Sequence, residues 1–255
     1  SVLNTLDSNT TGAIDAGTVS TLTGAAADLI TAYASGGISN LGDEAVSVSS
    51  GTASTSQANT LADATSGVVT ATLSDGDLST LAGLTETGNA YSITITDTSV
   101  DAAALNTLDG KTTVAIDANN ITTLTGNASD LSTAFSSSGI TGLNDEAITL
   151  SDTTLAVSVL NTLDGHTSGA IDAANITTLT GTAANLNTAY DSSGITGLAN
   201  EAVTLSDTTL AVSVLNTLDG HTSGTIDASN ITTLTGSASE LITAYTSGGI
   251  TGLAN

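Results

Sequence analysis

The sequence predicts an α/β repeat solenoid, right-handed, with one short parallel strand plus a short helix or turn per coil and two coils per 55-residue unit. Three observations carry that prediction. The run LNTLDG stands at Leu105–Gly110, Leu160–Gly165 and Leu215–Gly220, so its starts are evenly spaced. Runs that are apolar at alternate positions recur at set places in the unit, and short segments with helical apolar spacing separate them. A fixed period of this length marks an array in which each unit buries its apolar face only against its neighbours.

The array reads as one continuous body over residues 1–255, with units beginning near residues 3, 58, 105, 160 and 215. The first opens on LNTLDS at Leu3–Ser8. The second opens on ANTLA at Ala58–Ala62, a full step after Leu3 but less than a full step before Leu105. Residues 58–104 therefore make a short unit, and they carry the divergent GLTETGNA, which marks them as the expected place for a bend or interruption. Ser1 matches Ser158 and Ser213, and Asn255 matches Asn200. The expectation is therefore a window on a longer array, or a subunit that stacks end to end.

Within a unit, two strand types are expected. One is the AITLSD type, with Ile148 and Leu150, Val203 and Leu205, and Ile93 and Ile95. The other is the AIDA type, with Ile14, Ile116, Ile171 and Ile226. Alternation with period two argues a half-buried strand. Aligning the two types gives a shorter step, from Ile148 to Ile171, and a longer one, from Ile171 to Val203. Between them lie helical segments. Leu155, Val159 and Leu163 share one helical face, and Gly165 stands where a left-handed residue closes a helix. Ala183, Leu186 and Tyr190 do the same, with Thr182 as N-cap. A strand, a helix and a return to a parallel strand make a right-handed crossover.

The same steps align Asp97, Asn120, Asp152, Asn175, Asp207 and Asn230 in one column at the strand ends. Asx side chains there accept the first free N–H groups of the following turn, and neighbouring Asn residues bond along the stack. A second, outward column reads Thr94, Asp117, Thr149, Asp172, Thr204 and Asp227. In both columns charge returns only every second coil, roughly 9–10 Å apart at about 4.8 Å per rung, which weakens the repulsion. Tyr33, Phe135, Tyr190 and Tyr245 share one slot, a core or seam position, and only Tyr91 stands outside it.

Composition excludes several functions. The net charge is −24, with Lys111 the sole lysine or arginine. Nucleic-acid binding, which needs clustered cations, is therefore not expected. No apolar run of the length a membrane span requires is present, so no membrane insertion is expected. The chain has no cysteine and no methionine, which suits a long-lived extracellular material and removes thiol chemistry. His166 and His221 fill the slot of Lys111 and Asn9, a polar loop position; a base replaced by Asn in a sister unit is not a base. No enzyme is expected, since none of the nucleophile, phosphate-loop or zinc signatures occurs. Threonine on a regular sheet suggests ice binding, yet the outward row is interrupted by Asp.

Calcium is the cofactor the acidic pattern suggests. Carboxylates recur in the LDG turns at Asp7, Asp109, Asp164 and Asp219, and at Asp43–Glu44, Asp145–Glu146 and Glu201. Hard oxygen ligands suit Ca²⁺, and Asp109, Asp164 and Asp219 are the metal-site candidates, alongside diffuse binding of divalent cations to the acidic array.

Laid out together, LNTLDG, IDAANITTLTGTAANLNTAY and SSGITGLANEAVTLSDTTLAVSV resemble the tandem repeats of giant secreted cell-surface proteins of marine cyanobacteria, the swimming-motility surface protein type. The LNxLDG element is also similar to repeats in phage tail fibres. The resemblance implies an extracellular or cell-surface structural role and no catalytic residue. The partner it implies is the protein itself, as a homopolymer or as further repeats of one chain. The alternative is the shaft of a calcium-stabilised adhesin or tail fibre whose ligand-binding tip lies outside this segment.

Overall fold

The computed structural model describes residues 2–253. The protein is α/β, with short parallel strands in sheets alternating with helices, an arrangement compatible with a repeat solenoid. It divides into two compact units, one within Ser1–Ile121 and Ser136–Leu143, the other within Thr122–Phe135 and Asn144–Asn255. No described helix is long and apolar enough to cross a membrane.

The second unit shows the repeat most regularly. Starting at the helix Val157–Asp164, the chain forms strands Ile171–Asp172 and Thr178–Gly181, then the helix Ala183–Asp191. Strands Ile195–Thr196, Ala202–Leu205 and Thr209–Ala211 follow before the next helix, Val212–Asp219. The repeats that begin near residues 105 and 160 thus each hold two helices and five short strands, more strands than the sequence pattern foretells. The added strands are the T-L-T-G, I-T and T-L-A runs. They are two to four residues long and rich in β-branched side chains that fit a pleated surface.

Every described strand pair is parallel, and the register corrects the expected steps. Ile148 pairs with Ile171, and Val203 with Ile226, so the shorter step occurs as expected. Ile171, however, takes Ile195 as its next partner, and Val203 lies beside Leu179. The longer step from Ile171 to Val203 does not occur. Successive rungs all keep close to the shorter step, so one ladder runs through Thr154–Ala156, Thr178–Gly181, Ala202–Leu205, Ile226–Asp227 and Ile250–Thr251. A new ladder opens at Thr209–Ala211, which pairs with Thr233–Thr235. The rung step and the sequence period do not match, so this ladder passes through all five strand types in turn.

Helices of eight or nine residues are too short to persist alone in water, and these are held by one buried face. The helix Val157–Asp164 buries Val157, Leu160 and Leu163, all 0% exposed. Leu155 belongs instead to the strand Thr154–Ala156, because the backbone stays extended through Ala156. Gly165 keeps a right-handed conformation (φ −77°), its N–H bonded to the carbonyl of Asn161, and is not the left-handed cap the sequence suggests. Thr182 does cap its helix, its hydroxyl accepting from the Asn185 N–H at 3.3 Å. That helix buries Ala183, Leu186 and Ala189, with Tyr190 half-buried.

In the first unit a four-stranded parallel ladder runs through Thr21–Gly24, Ala45–Val48, Val69–Thr72 and Ala90–Ser92. Its partners step from Thr21 to Ala45, from Val46 to Val69 and from Thr70 to Ala90. The missing residues of the divergent stretch are absorbed by that shorter last step and by a helix of only one turn, Leu78–Leu81. The ladder continues into this stretch and ends in it, at Ala90–Ser92, with isolated bridges from Asn89 to Thr112 and from Thr94 to Asp117. Tyr91, outside the aromatic slot, fills the core at 1% exposure, and burial, followed by the charges of Glu86 and Asp63, pushes its hydroxyl pKa up to about 12.

Each fully buried Leu or Ile contributes about 1.5–3 kcal/mol of transfer free energy. Leu160→Ala, at a site with no exposed surface, is expected to lower stability by about 2–5 kcal/mol, read as a fall in the urea midpoint.

Candidate functional site

Where a four-residue strand ends, three coils are tied at one point. The Leu150 carbonyl accepts from Asn175 Nδ2 at 2.8 Å, one coil later. Two residues on, Asp152 Oδ2 accepts from the Ala128 N–H at 2.7 Å, at the start of a helix one coil earlier. The pattern repeats with Asn230 on the Leu205 carbonyl at 2.7 Å and Asp207 on the Ala183 N–H at 2.7 Å. In the first unit Asn120 reaches the Ile95 carbonyl at 2.8 Å, and Asp97 the Leu78 N–H at 2.6 Å. Asp and Asn therefore do different work. Asp satisfies an orphan N–H at a helix start and meets the positive end of the helix dipole. Asn donates to a backbone carbonyl rather than to a neighbouring Asn. The six residues form Asp–Asn pairs in successive coils, not one unbroken column. Asp75, which accepts from the Thr55 N–H at 2.6 Å, belongs to the same set; the shared Ser-Asp or Thr-Asp dipeptide is the signal that would have found it.

The outward row is likewise divided. Asp117 lies between Thr94 and Thr141. Asp172 lies between Thr149 and Thr196, and Asp227 between Thr204 and Thr251. Each carboxylate is flanked on both sides by threonine.

The LDG aspartates form a second kind of tie. Asp109, Asp164 and Asp219 end their helices half-buried. Each accepts a hydroxyl from a serine in the next coil: Ser137 at 2.6 Å, Ser192 at 2.8 Å and Ser247 at 2.7 Å. Asp7 and Ser35 repeat the bond at 2.6 Å. The serine oxygen in turn accepts from the N–H of the glycine two residues on, as at Gly139 and Gly194. A side chain at Gly194 would press on Asp164 Oδ1 and displace it, so glycine leaves room for the Asp164–Ser192 bond. Among the described residues, no three His, Asp or Glu side chains converge in a way that would hold a metal ion.

The third feature is a set of buried carboxylates. Glu44, Glu146 and Glu201 are at most 1% exposed. Each main-chain carbonyl accepts from a threonine hydroxyl: Thr65 at 2.6 Å, Thr167 at 2.7 Å and Thr222 at 2.9 Å. The Tyr33 hydroxyl donates to the Glu44 carboxylate, and the Tyr190 hydroxyl to Glu201 at 3.0 Å. Backbone N–H groups of Gly42 (3.0 Å) and Ala199 (3.1 Å) add to them. Burial raises the Glu44 pKa, but the Tyr33 hydroxyl and the N–H groups of Gly42 and Asp43 outweigh it and leave the value below the usual range.

Glu146 departs from its sisters. Its aromatic partner in the repeat is Phe135, which has no hydroxyl, so the carboxylate lacks the tyrosine bond of its sisters and makes no hydrogen bond of good geometry, with the backbone N–H groups of Asn144, Asp145 and Glu146 nearby. Burial raises its pKa above the usual range; the backbone N–H groups of Glu146, Asp145 and Asn144 oppose the rise, the Asp145 charge adds to it, and burial prevails. The slot thus holds two carboxylates bonded to tyrosine and one without that bond. His166 stacks on Phe135 with ring centroids 5.7 Å apart, and His221 on Tyr190 at 5.5 Å. His221 Nε2 also lies 3.4 Å from Asp191. The two rings therefore extend the aromatic seam from one coil to the next, a contact the sequence reading assigned to a permissive loop.

Compared with known proteins, the chain matches no family model, no curated protein and no solved structure.

Phe135→Tyr is expected to give Glu146 its missing donor and raise stability at pH 7 by about 1–2 kcal/mol, whereas Tyr190→Phe should cost about 1–3 kcal/mol. Because the Glu146 pKa is raised in the fold, its protonated form favours folding below the ordinary carboxyl range near 4.3, and that contribution is lost as pH rises through the raised value. Urea midpoints between pH 4 and pH 8 should show Glu146→Gln gaining on the parent as pH increases.

Proposed function

We propose that the chain is a structural, non-catalytic repeat segment of an extracellular fibre or cell-surface coat. In this reading it winds as a right-handed solenoid with two coils per sequence repeat, one helix in each, and lengthens by end-to-end stacking of coils. The observation that carries it is the destination of the recurring polar side chains. Asp152 and Asn175, Asp164 and Ser192, and Tyr190 and Glu201 all bond within the array, fastening coil to coil or bracing a coil internally. Side chains that recur to hold neighbours together serve length and stiffness. The right hand follows from the general preference of parallel strand crossovers.

Composition supports a location outside the cell: no cysteine, no methionine and a net charge of −24. The likeness to repeats of giant cyanobacterial surface proteins points the same way. The chain's partners are then further repeats of its own kind. A second reading, the shaft of a calcium-stabilised adhesin or tail fibre, is favoured by the acidic excess, with Asp109, Asp164 and Asp219 as its ligands.

Two measurements test these readings. On a denaturing gel of material from its native source, the repeat-array reading expects a species of hundreds of kilodaltons or a smaller chain that still forms fibres; a small soluble protein without fibres overturns it. For the calcium-stabilised shaft, a chelator at low ionic strength is expected to lower the melting temperature, and an unchanged temperature removes discrete calcium sites.

A further inference from the structure

In the divergent repeat a contact between neighbouring helices is lost. In a regular coil the helix Ala183–Asp191 lies against Val212–Asp219, and Asn187 Nδ2 donates across to the Val214 carbonyl at 3.2 Å. Counted from the helix starts, Ala82 stands in the Asn187 slot and Ala104 in the Val214 slot. Both are small side chains, and the helix Leu78–Leu81 has lost its second turn. Ala102, Ala103 and Ala104 likewise replace the V-S-V that opens Val157–Asp164 and Val212–Asp219. Between Leu78–Leu81 and Ala102–Asp109 there remains a groove of about 330 Å³, at the small end of the ~300–1,000 Å³ range of ligand clefts.

The groove pairs apolar walls with acidic ones. Leu78, Ala82, Val100 and Ala104 line it with apolar surface, and Asp97 and Asp101 with carboxylates. The Asp97 carboxylate accepts from the Leu78 N–H at 2.6 Å, and Asp101 from the Ala104 N–H at 3.1 Å. Next to Leu78, Asp77 caps its own helix through the Thr80 N–H at 2.9 Å. Among the described residues, Asp77 and Asp101 are the charged N-caps. Ser54, Thr182, Ser237 and Asn127 cap with neutral oxygens, and Ala25, Ala156 and Ala211 lend no side chain. Neutral caps serve a helix as well as aspartate does, so capping alone does not call for charge at both caps beside one groove. The sole lysine does not answer it, because the Lys111 ammonium donates to the Thr85 carbonyl at 2.9 Å.

We propose that this groove docks a basic segment of a different protein, one in which a lysine or arginine adjoins a large apolar side chain. The apolar side chain fills the space that the Asn187–Val214 contact fills in a regular coil, against Leu78 and Ala104. The cationic head meets Asp97 and Asp101, with Asp77 close by. Lysine and arginine suit such a place because their stems lie along apolar surface while the charge stays in water. Charge complementarity decides the occupant. A second copy of this chain brings a net charge of −24 and one lysine, so like charges would meet at the contact. The groove belongs to a single repeat, and the proposal does not depend on the length or location of the array.

The test titrates the whole chain into a fluorescently labelled peptide of alternating lysine and leucine and reads anisotropy, in about 0.15 M salt to screen long-range attraction. Saturable binding of one peptide per chain is expected, and a lysine–serine peptide of equal charge should bind more weakly. Ala82→Lys, at an exposed groove position and with circular dichroism as the folding control, puts a like charge before the peptide and should weaken binding about tenfold or more. Ala184→Lys makes the same change in net charge at an exposed site on the regular helix Ala183–Asp191 and should leave binding unaltered. Asp101→Asn keeps a capping oxygen and should cost roughly two- to fivefold, the loss of one exposed ion pair. Absence of saturable binding overturns the proposal. Equal binding of the two peptides, or equal losses in the two lysine variants, overturns it by assigning the attraction to net charge alone. Self-association seen by sedimentation and abolished by Ala82→Lys would give the groove to a second copy and overturn it too.

Discussion

The helix Val157–Asp164 keeps Val157, Leu160 and Leu163 dry although it is barely two turns long and forms part of a thin coil. It does so because the helix Ala183–Asp191 stands against it, and that helix is covered in turn by Val212–Asp219. The strands obey the same rule: among the described residues, none has a partner within its own coil. Burial is always completed by the next turn of chain. The short helices, the two-residue strands and the serial polar ties all follow from that dependence.

Acidic side chains are distributed accordingly. A net charge of −24 is tolerable in a stacked array when carboxylates receive hydrogen bonds in place of facing one another. Asp152 and Asp207 take helix N–H groups, Asp164 and Asp219 take serine hydroxyls, and Glu44 and Glu201 take tyrosine hydroxyls. Glu146 marks the limit of this arrangement. One missing oxygen atom, Phe135 in place of tyrosine, leaves a buried carboxylate without its strongest donor. Identical folds of successive repeats therefore do not imply equal stability along the chain.

Much of this was legible in the sequence because periodicity reports burial directly. Ile148, Ile171, Val203 and Ile226 were readable as core strand residues, Thr182 as a helix cap, and Asp152 and Asn175 as strand-end ties. The coil step was not. A run such as T-L-T-G has a single apolar side chain and no alternation to detect, so the strand Thr178–Gly181 and its pairing with Ala202–Leu205 were invisible. Leu155 was placed on a helix face because spacing alone cannot tell where an extended segment gives way to a helix, and here that happens between Ala156 and Val157. The buried glutamates stood in plain view as acidic repeats. Their hydrogen bonding depends on a tyrosine in the preceding helix, as Tyr190 serves Glu201, a pairing no local pattern displays.

The mismatch between rung step and sequence period has a hereditary consequence. The ladder from Thr154–Ala156 to Ile250–Thr251 never sets a strand beside its own copy. Removing or duplicating a single rung's length of chain would therefore bring wrong side chains to the cap, the brace and the tyrosine slot at once. Gain or loss of a whole sequence repeat restores every neighbour relation. Length in such a gene can drift by recombination between near-identical repeats, in whole units, whereas a smaller loss, as in residues 58–104, demands local compensation such as the one-turn helix Leu78–Leu81.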